Sequence, residues 1–496
     1  MGIQASQPHS ESTMSNALQP KFPVVQIKNC RLILTALAIA GFLFNFYVFY
    51  PGFLTSDAVD QYSQALRHQY SDWHPPFMAM LWSTLLPVLP DAIGMLALIS
   101  AGLWGGVALF AFRLTSQVSY RGLLVFVVPL LPVVLNFSGM IWKDVLHAAL
   151  WTLACGILIN DDGKARPASI LIRALSVLLI LAGTLARPNS IFASFPLLVW
   201  ALRDESTWKT MGRAVVAVCL FAAAAVGLNK LMDVGRDQAE TSIQIYNLGG
   251  ISHYTGKNAF PGTWTPEESK KITDECFTRH SWDNYIWSAA PPRADCSFVT
   301  QKLRDQGFWG SAELTRVWLD QIISHPKEYL QSRLQSYQNF LRKPTQGRSI
   351  KDAATIVGGE VQKAPKHSLL TVAVIAYSTE LAKVFRPWVF CFIAIACMAW
   401  VVSRWRSASN TIQFSYAMLC SATIYALSYF PLGVASDLRY FYWSYISISI
   451  AAVVIYLNAA SHRSRQGESW RSAPIGISLS CALIVVGLLI TALFPV

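Results

Sequence analysis

Residues 32–50, LILTALAIAGFLFNFYVFY, form an almost wholly apolar run that ends at the turn sequence Pro51-Gly52-Phe53. A helix needs about 20 such residues to cross the hydrocarbon core of a bilayer. The run therefore predicts a membrane span. The residues before it are polar and rich in Ser, Gln and Pro, and no small-residue cleavage site follows it. We therefore expect a retained anchor rather than a secretory signal.

Similar apolar runs recur along the chain, which is 53% hydrophobic and only 14% charged. A soluble domain carries about 25% charged residues, so this composition excludes a soluble globular enzyme. We predict an all-α polytopic membrane protein with about eleven transmembrane helices. The predicted spans are residues 32–50, 92–112, 122–137, 141–159, 168–186, 190–202, 213–231, 386–402, 412–430, 438–458 and 475–495.

Lysine and arginine in short loops mark the cytoplasmic side of a membrane protein. The basic loops of this chain all fall on one side if the short apolar stretch 76–89 is a re-entrant or interfacial helix on the outer face. We attribute the net charge of +12 to this topology and to lipid headgroups rather than to nucleic acid. The predicted organisation is a cytoplasmic tail 1–31, an N-terminal transmembrane module 32–231 with a first outer loop 51–91, an extracytoplasmic soluble subdomain 232–385 and a C-terminal transmembrane module 386–496.

The block 232–385 is the one sizeable polar region of the sequence. Its first part is rich in turn residues such as Gly249-Gly250, and helical spacing follows from about Phe308 to Leu341. The stretch after His325 predicts an amphipathic helix on the membrane or on the span bundle. Cys276 and Cys296 lie in this block, where an oxidising compartment would let them form a disulfide, with two unpaired thiols as the alternative.

The first outer loop concentrates acidic and polar residues directly after the first span. Asp57 and Asp60 are three residues apart, so on a short helix they share a face that Gln61 continues. Two carboxylates there can provide a general base with a partner, or half of a metal site. Capping of an interfacial helix by Asp57 is the alternative. Asp72 and His74 follow, and a helix that starts at Pro75-Pro76 would direct both toward the acidic loop.

Basic residues occur at the same predicted membrane face. Lys143 and Asp144 are an adjacent cation and anion within an apolar run, where charges are costly and mark functional sites by default. An interfacial ion pair is the alternative. Arg187-Pro188-Asn189 lies between two predicted spans, and Arg439-Tyr440 begins another. Arginine suits bidentate recognition of phosphate, although a loop position or interfacial anchoring would also explain these two.

Acidic and basic groups at one membrane face suit a lipid-linked phosphate donor. The leaving phosphate needs positive charge while a carboxylate deprotonates an acceptor hydroxyl. The sequence contains no Walker-type loop, zinc-ligand spacing or nucleophile elbow. The motifs Asp57-Ala-Val-Asp60-Gln61, His74-Pro75-Pro76, Trp142-Lys143-Asp144 and Arg439-Tyr440 together resemble the GT-C class of integral-membrane glycosyltransferases. That class includes dolichyl-phosphate-mannose protein mannosyltransferases and bacterial relatives that act on lipopolysaccharide or other envelope glycans.

The resemblance implies inverting transfer of a sugar from a polyprenyl-phosphate carrier, with Asp57 as catalytic base and Asp60 as the alternative. It implies that Lys143, Arg187 and Arg439 bind the carrier phosphate. The expected substrate-binding residues that remain are Gln61, Asp72, His74, Asp144, Asn189 and Tyr440. No cofactor is predicted with certainty, and a divalent ion between Asp57 and Asp60 stays possible.

The eukaryotic mannosyltransferases have adjacent Asp-Glu where this chain has Asp57-Ala58. An envelope glycan, lipid or protein in bacteria is therefore the expected acceptor, and the bacterial inner membrane is the expected location, with the site facing the periplasm or exterior. A transporter or flippase of a lipid-linked or anionic solute is the main alternative, although we find no repeat symmetry between the two halves. A transferase like the O-antigen ligases is another, and His325 would then be the residue of interest.

Overall fold

The computed structural model describes residues 27–161, 166–286, 295–342, 353–363 and 368–466, and these residues are mostly helical. The N-terminal part alternates long apolar helices with short ones, and 3₁₀ segments cover Ser119–Leu130 and Pro188–Ser190. Its helices are α1 (Ile27–Phe49), α2 (Ser56–Arg67), α3 (Phe77–Leu85), α4 (Ile93–Val118), α5 (Pro132–Leu135), α6 (Lys143–Leu158), α7 (Pro167–Ala186), α8 (Ile191–Ala201) and α9 (Thr207–Leu231).

The rest of the described chain is also helical, apart from one antiparallel hairpin. Its helices are α10 (Thr241–Thr255), α11 (Pro266–Lys271), α12 (Ser297–Asp305), α13 (Ala312–Ser324), α14 (Pro326–Arg342), α15 (Leu369–Ala382), α16 (Pro387–Ser403), α17 (Asn410–Leu432) and α18 (Tyr442–Gln466), and the hairpin consists of β1 (Ala354–Val357) and β2 (Glu360–Lys363). Shorter helical turns cover Ile272–Cys276, Trp282–Tyr285, Trp405–Ser407 and Leu438–Phe441.

Within the described residues, 5 helices are long and apolar enough to cross a membrane, or up to 6 if the bent pair α15 and α16 forms one span. The five segments are Cys30–Phe49, Ile93–Gln117, Pro167–Ala186, Thr207–Leu231 and Leu438–Ala459. These lengths and compositions are compatible with an integral membrane protein. The predicted span 475–495 lies outside the described residues, and the total of about eleven crossings stays a prediction.

The structure differs from the predicted spans in two places. Residues 122–137 do not form one helix, because a 3₁₀ segment ends at Leu130 and the short α5 follows. Pro129 and Pro132 each lack the backbone N–H that a continuous helix would use. Residues 369–382, assigned to the polar block from the sequence, instead form the apolar helix α15, in which the Thr371 hydroxyl donates to the Val48 carbonyl of α1 at 3.0 Å.

The main apolar core is built by close contact between long helices. Helices α4 and α6 approach closely at Gly106 and Gly156: a Cβ added to Gly106 would lie 2.6 Å from the Thr152 carbonyl carbon, and one added to Gly156 would lie 2.5 Å from the Gly106 oxygen. Glycine thus permits the close packing of backbones that is common in membrane bundles. Across the bundle, α18 packs on α17, where the Trp443 indole donates to the Ser421 hydroxyl at 3.1 Å.

A second, smaller apolar core lies among α10 to α14 and joins Ile245, Leu248, Leu303 and Leu314. Cys276 and Cys296 are buried within this core and form a disulfide, with Cα atoms 5.6 Å apart. The prediction of a turn at Gly249-Gly250 is wrong, because both glycines lie within α10. A Cβ on Gly250 would lie 2.7 Å from the Ser332 Cβ, so the pair serves close packing against α14.

Helix α14 connects the second core to the main one. Its stretch after His325 was predicted to lie on the membrane or on the span bundle, and in the structure its C-terminal half packs on α16 and α17. The Tyr337 hydroxyl donates to the Ala426 carbonyl of α17 at 3.3 Å. Phe340 packs against Tyr429 with ring centroids 5.4 Å apart. This contact brings the second core next to the polar residues described below.

Candidate functional site

Backbone pairing brings the loop after α1 beside the start of α6. The Phe53 amide donates to the Gly139 carbonyl at 3.0 Å, and the Ile141 amide donates back to Phe53 at 2.8 Å. On the other side, Leu54 exchanges backbone hydrogen bonds of 2.8 and 2.9 Å with Ala354 of β1. These contacts fix the first turn of α2, which carries Asp57, next to Trp142 and Lys143.

Asp57 and Arg439 form an ion pair between elements that are far apart in sequence. The Asp57 Oδ2 atom lies 3.0 Å from Arg439 Nη1, and 35% of the Asp57 side chain stays exposed. The Arg439 guanidinium carbon lies 4.6 Å from the Trp142 ring centroid and 5.2 Å from that of Tyr440. The Trp142 indole donates to the Thr55 hydroxyl at 2.8 Å, which fixes the ring. Aromatic faces attract a cation, so the rings stabilise the charge of the guanidinium.

Arg439 also contacts Asp437, which the sequence analysis did not select as a site residue. Arg439 Nε lies 3.1 Å from Asp437 Oδ2, but this N–H has no aligned hydrogen-bond acceptor in the described part of the chain. The other carboxylate oxygen, Oδ1, accepts the Arg439 backbone N–H at 3.1 Å. Burial raises the pKa of Asp437 to about 6, against the opposing charge of Arg439. One guanidinium is thus shared by two carboxylates.

Lys143 begins α6 and faces an uncharged partner. Its Nζ lies 2.8 Å from His74 Nδ1. Burial lowers the pKa of His74 to about 3, and the positive charge of Lys143 acts in the same direction. His74 is therefore neutral near pH 7, and its Nδ1 accepts a hydrogen bond from the Lys143 Nζ. Within the described residues, no carboxylate lies within ion-pair distance of Lys143, in contrast to Arg187 and Arg439.

Asp144 and Arg187 form a second ion pair deeper in the protein. Arg187 Nε lies 2.9 Å from Asp144 Oδ1, and Arg187 Nη2 donates to the Tyr429 hydroxyl at 2.9 Å. Asp144 is only 1% exposed, and among the described residues its carboxylate accepts no aligned hydrogen bond. The Tyr429 and Tyr440 rings stack with centroids 5.1 Å apart. This stack connects the surroundings of Arg187 to those of Arg439.

We call Asp57, His74, Lys143, Asp144, Arg187, Asp437 and Arg439 the charged cluster. Partial burial opposes ionisation of Asp57, but the charge of Arg439 outweighs it, helped by that of Lys143, and lowers the pKa of Asp57 to about 2. Asp57 is therefore ionised at neutral pH. The cluster holds three carboxylates and three cations, so it can offer both a base and a cationic surface for an anion.

Other predicted site residues lie apart from these contacts. Asp60 is exposed and accepts a hydrogen bond from the Gln64 side chain at 2.7 Å. It does not share the environment of Asp57, because Asp57 is turned toward Arg439. Asp72 Oδ1 accepts the backbone N–H groups of Asp237 and Gln238 at 2.6 and 3.1 Å, a structural use of its carboxylate.

The structure gives the remaining predicted residues different surroundings. Gln61 is buried, at 2% exposure, on the inward face of α2. The Asn189 Oδ1 atom is buried and has no hydrogen-bond partner in the described residues. His325 joins α13 to α14. The described residues contain no group of three or more His, Cys, Asp or Glu side chains arranged to hold a metal ion.

Sequence reasoning missed Tyr429 and Arg333, which support the cluster from α17 and α14. Arg333 is 2% exposed and donates to the carbonyls of Phe430 at 2.7 Å, Gly433 at 2.7 Å and Tyr429 at 3.2 Å. It thereby binds carbonyls at the end of α17, where the last turn of a helix leaves acceptors without intrahelical donors; the Tyr429 carbonyl also accepts the Gly433 N–H. The position of Arg333 in a charged, amphipathic stretch gave no sign of this buried role.

His147 lies one turn after Asp144 on α6 and was also missed. It is wholly buried, and neither ring nitrogen has a hydrogen-bond partner in the described part of the chain. Its ring packs on Trp151 and Tyr425, at centroid distances of 4.3 and 5.2 Å. A histidine in an apolar run with Trp151 one turn later is a visible signal in the sequence, whereas Tyr425 comes from α17, distant in sequence.

Comparison of the sequence with protein-family models and with curated proteins finds no match to either. The residues of the charged cluster are therefore the basis on which a function can be inferred.

Proposed function

We propose that the protein is a membrane glycosyltransferase that moves a sugar from a polyprenyl-phosphate carrier to an acceptor hydroxyl. The observation that carries this proposal is the ionised, partly exposed carboxylate of Asp57 within a cluster that also holds Lys143, Arg187 and Arg439. A base next to cations is what transfer from a phosphate leaving group requires. The resemblance of the sequence motifs to the GT-C class supports the same reaction.

In the proposed reaction, the acceptor oxygen attacks the anomeric carbon of the sugar. The bond between that carbon and the phosphate oxygen breaks, and its electron pair leaves with the polyprenyl phosphate. Asp57 takes the acceptor proton and later releases it to solvent, to which 35% of its side chain is exposed. The products are the glycosylated acceptor, with inverted configuration, and free polyprenyl phosphate.

Lys143 is the proposed first contact of the carrier phosphate, because its ammonium faces the neutral His74 rather than a carboxylate. Arg439 can add planar hydrogen bonds to the same phosphate. Arg187 is more deeply engaged, with Asp144 and Tyr429, and acts on the phosphate through its field. Trp142 and Tyr440 present aromatic faces to the Arg439 guanidinium.

The proposed setting is the bacterial inner membrane, with the charged cluster on the periplasmic or exterior side. In this proposal about eleven helices cross the bilayer. The second apolar core belongs to an extracytoplasmic subdomain within residues 232–385, and the acceptor is an envelope glycan, lipid or protein. The separate core around Ile245 and Leu303 supports a distinct subdomain. The basic loops assigned to the cytoplasmic side support the orientation.

Reconstitution into proteoliposomes distinguishes sugar transfer from transport of the lipid-linked donor. Sugar-labelled polyprenyl phosphates are supplied with envelope glycans, lipids and proteins, and two products are measured: label covalently bound to an acceptor and free polyprenyl phosphate. We expect equal amounts of both. Intact labelled donor on the opposite leaflet, with no covalent product from any donor and acceptor, would instead identify a transporter.

A further inference from the structure

The ion pair with Arg439 makes Asp57 a poor proton acceptor. Its carboxylate oxygen lies 3.0 Å from Arg439 Nη1. A carboxylate that is paired with a guanidinium is a poor proton acceptor, because the pairing stabilises its charged form. The pKa of Asp57, about 2, reflects this pairing against the opposing effect of burial. A base that takes a proton from a hydroxyl group would have to be released from Arg439 first.

Arg439 has a second anionic partner that would keep it in the site after such a release. Asp437 lies two residues earlier on the same turn, 3.1 Å from Arg439 Nε, and its other oxygen is tied to the Arg439 backbone N–H. The pair with Asp57, in contrast, joins elements that are separated by 382 positions in the sequence. The contact to Asp57 is therefore the one that can open while Asp437 retains the arginine.

The aromatic rings around the Arg439 guanidinium permit it to move away from Asp57. Its carbon lies 4.6 Å from the Trp142 centroid and 5.2 Å from the Tyr440 centroid. A π face attracts a cation without fixing a hydrogen-bond direction, so the guanidinium can slide along these rings and remain stabilised. Its Nε–H lacks an aligned acceptor within the described chain and could rotate toward a new one.

Lys143, which follows Trp142, is the basic residue best placed to attract the carrier phosphate. Lys143 directs its Nζ at the neutral His74 Nδ1, 2.8 Å away, and no carboxylate of the described residues lies within ion-pair distance of it, so a bound phosphate would be its ion-pair partner. Lys143 follows Trp142, whose ring lies 4.6 Å from the Arg439 guanidinium carbon and whose indole donates to the Thr55 hydroxyl, two residues before Asp57. A phosphate attracted by Lys143 would thus reach the arginine that holds the base.

We infer that the phosphate of a bound carrier competes with Asp57 for Arg439, so that donor binding itself frees the catalytic base. This inference rests on the proposed function. It predicts that donor binds before proton abstraction and that the site stays unreactive without donor. Asp437 is the positioning residue that keeps Arg439 within reach of both anions.

A double-mutant cycle on the purified full-length protein tests the competition without knowledge of the sugar or acceptor. The probe is decaprenyl phosphate in detergent micelles, and the dissociation constant is measured by isothermal titration calorimetry. Asp57→Asn should tighten binding about tenfold, since Arg439 no longer has to leave a carboxylate. In an Arg439→Gln background, the same substitution should tighten binding by less than about threefold, the part due to charge repulsion alone.

Asp60→Asn is the matched control, because Asp60 lies one turn further along α2 and contacts Gln64 instead of Arg439. Its affinity for decaprenyl phosphate should equal that of the wild type. Asp57→Glu keeps the negative charge and should not show the tightening. If Arg439→Gln lowers the unfolding temperature, Arg439→Lys takes its place in the cycle.

The outcomes distinguish a failure of the competition for Arg439 from a failure of the proposed function. Unchanged affinity after Asp57→Asn, or an equal gain with and without Arg439, overturns the competition but leaves the proposed function intact. No binding of decaprenyl phosphate to the wild-type protein overturns the competition and also removes the support for a polyprenyl-phosphate donor. A tightening that depends on Arg439 supports the inference.

Discussion

The Lys143 ammonium lies 2.8 Å from the Nδ1 atom of His74, and this pair joins the start of α6 to the loop before α3. His74 is buried, with 7% of its surface exposed. Protonation of the ring would place two positive charges at hydrogen-bond distance in a desolvated setting. The pair therefore makes folding sensitive to pH, and it leaves the charge of Lys143 available to an anion.

The stability of the protein should fall as the pH is lowered below about 6.5, the ordinary pKa of histidine. Because the pKa of His74 is about 3 in the folded protein, the unfolded chain binds a proton in this range and the folded protein does not. From pH 7 to pH 5, the unfolding temperature of the wild-type protein in detergent should therefore decrease relative to that of a variant without His74; the raised pKa of Asp437 opposes this decrease over the same range. His74→Asn keeps an acceptor near Nδ1 and should flatten this slope, whereas parallel profiles for the two proteins would refute the explanation.

Breaking the buried pair of Asp144 and Arg187 should destabilise the protein strongly. Asp144→Asn leaves the Arg187 charge without its carboxylate, at a cost on the order of 3–5 kcal/mol. The unfolding temperature should drop by several degrees. The control is Asp204→Asn, since Asp204 pairs with Arg213 at 2.9 Å but with 54% of the arginine side chain exposed. Equal effects of the two substitutions would mean that burial does not set the strength of the Asp144 pair.

Arg333 should be needed for the attachment of α14 to the end of α17. Arg333→Met removes the donor to the Phe430 and Gly433 carbonyls, at about 1–3 kcal/mol each, whereas the Tyr429 carbonyl keeps its hydrogen bond from the Gly433 N–H. We expect a clear loss of stability and faster proteolysis within α14. Arg342→Met is the control, because Arg342 is exposed at the end of the same helix. Comparable losses in both variants would contradict this role.

The sequence predicted the apolar helices and several members of the charged cluster because both have local signals. A run such as 32–50 or a charge inside an apolar run is visible without tertiary information. Pairings were not predictable, since Arg439 meets Asp57 and Arg187 meets Tyr429 only after distant helices pack. The different surroundings of Asp57 and Asp60 were also not predictable, because helical periodicity alone does not reveal which of two acidic residues faces the protein.

The predicted orientation can be tested at two exposed positions, Gln69 after α2 and Lys209 near the start of α9. Gln69→Cys and Lys209→Cys are introduced separately into protein in which the exposed Cys219 is replaced by serine. In intact spheroplasts, a membrane-impermeant thiol reagent should label position 69 and spare position 209 until the cells are lysed. Labelling of position 69 only after lysis would place the charged cluster on the cytoplasmic side and end the proposed reaction.

The most direct test of the central claim is sugar transfer by purified wild-type, Asp57→Asn and Asp60→Asn proteins under identical conditions. Labelled polyprenyl-phosphate sugars serve as donors, envelope glycans, lipids and proteins serve as acceptors, and the initial rate of covalent labelling is measured. Loss of a general base lowers the rate by roughly 10²–10⁴-fold, so Asp57→Asn should nearly abolish transfer while Asp60→Asn retains it. Wild-type rates in Asp57→Asn, or the same loss in both variants, would contradict the assignment of Asp57 as the base.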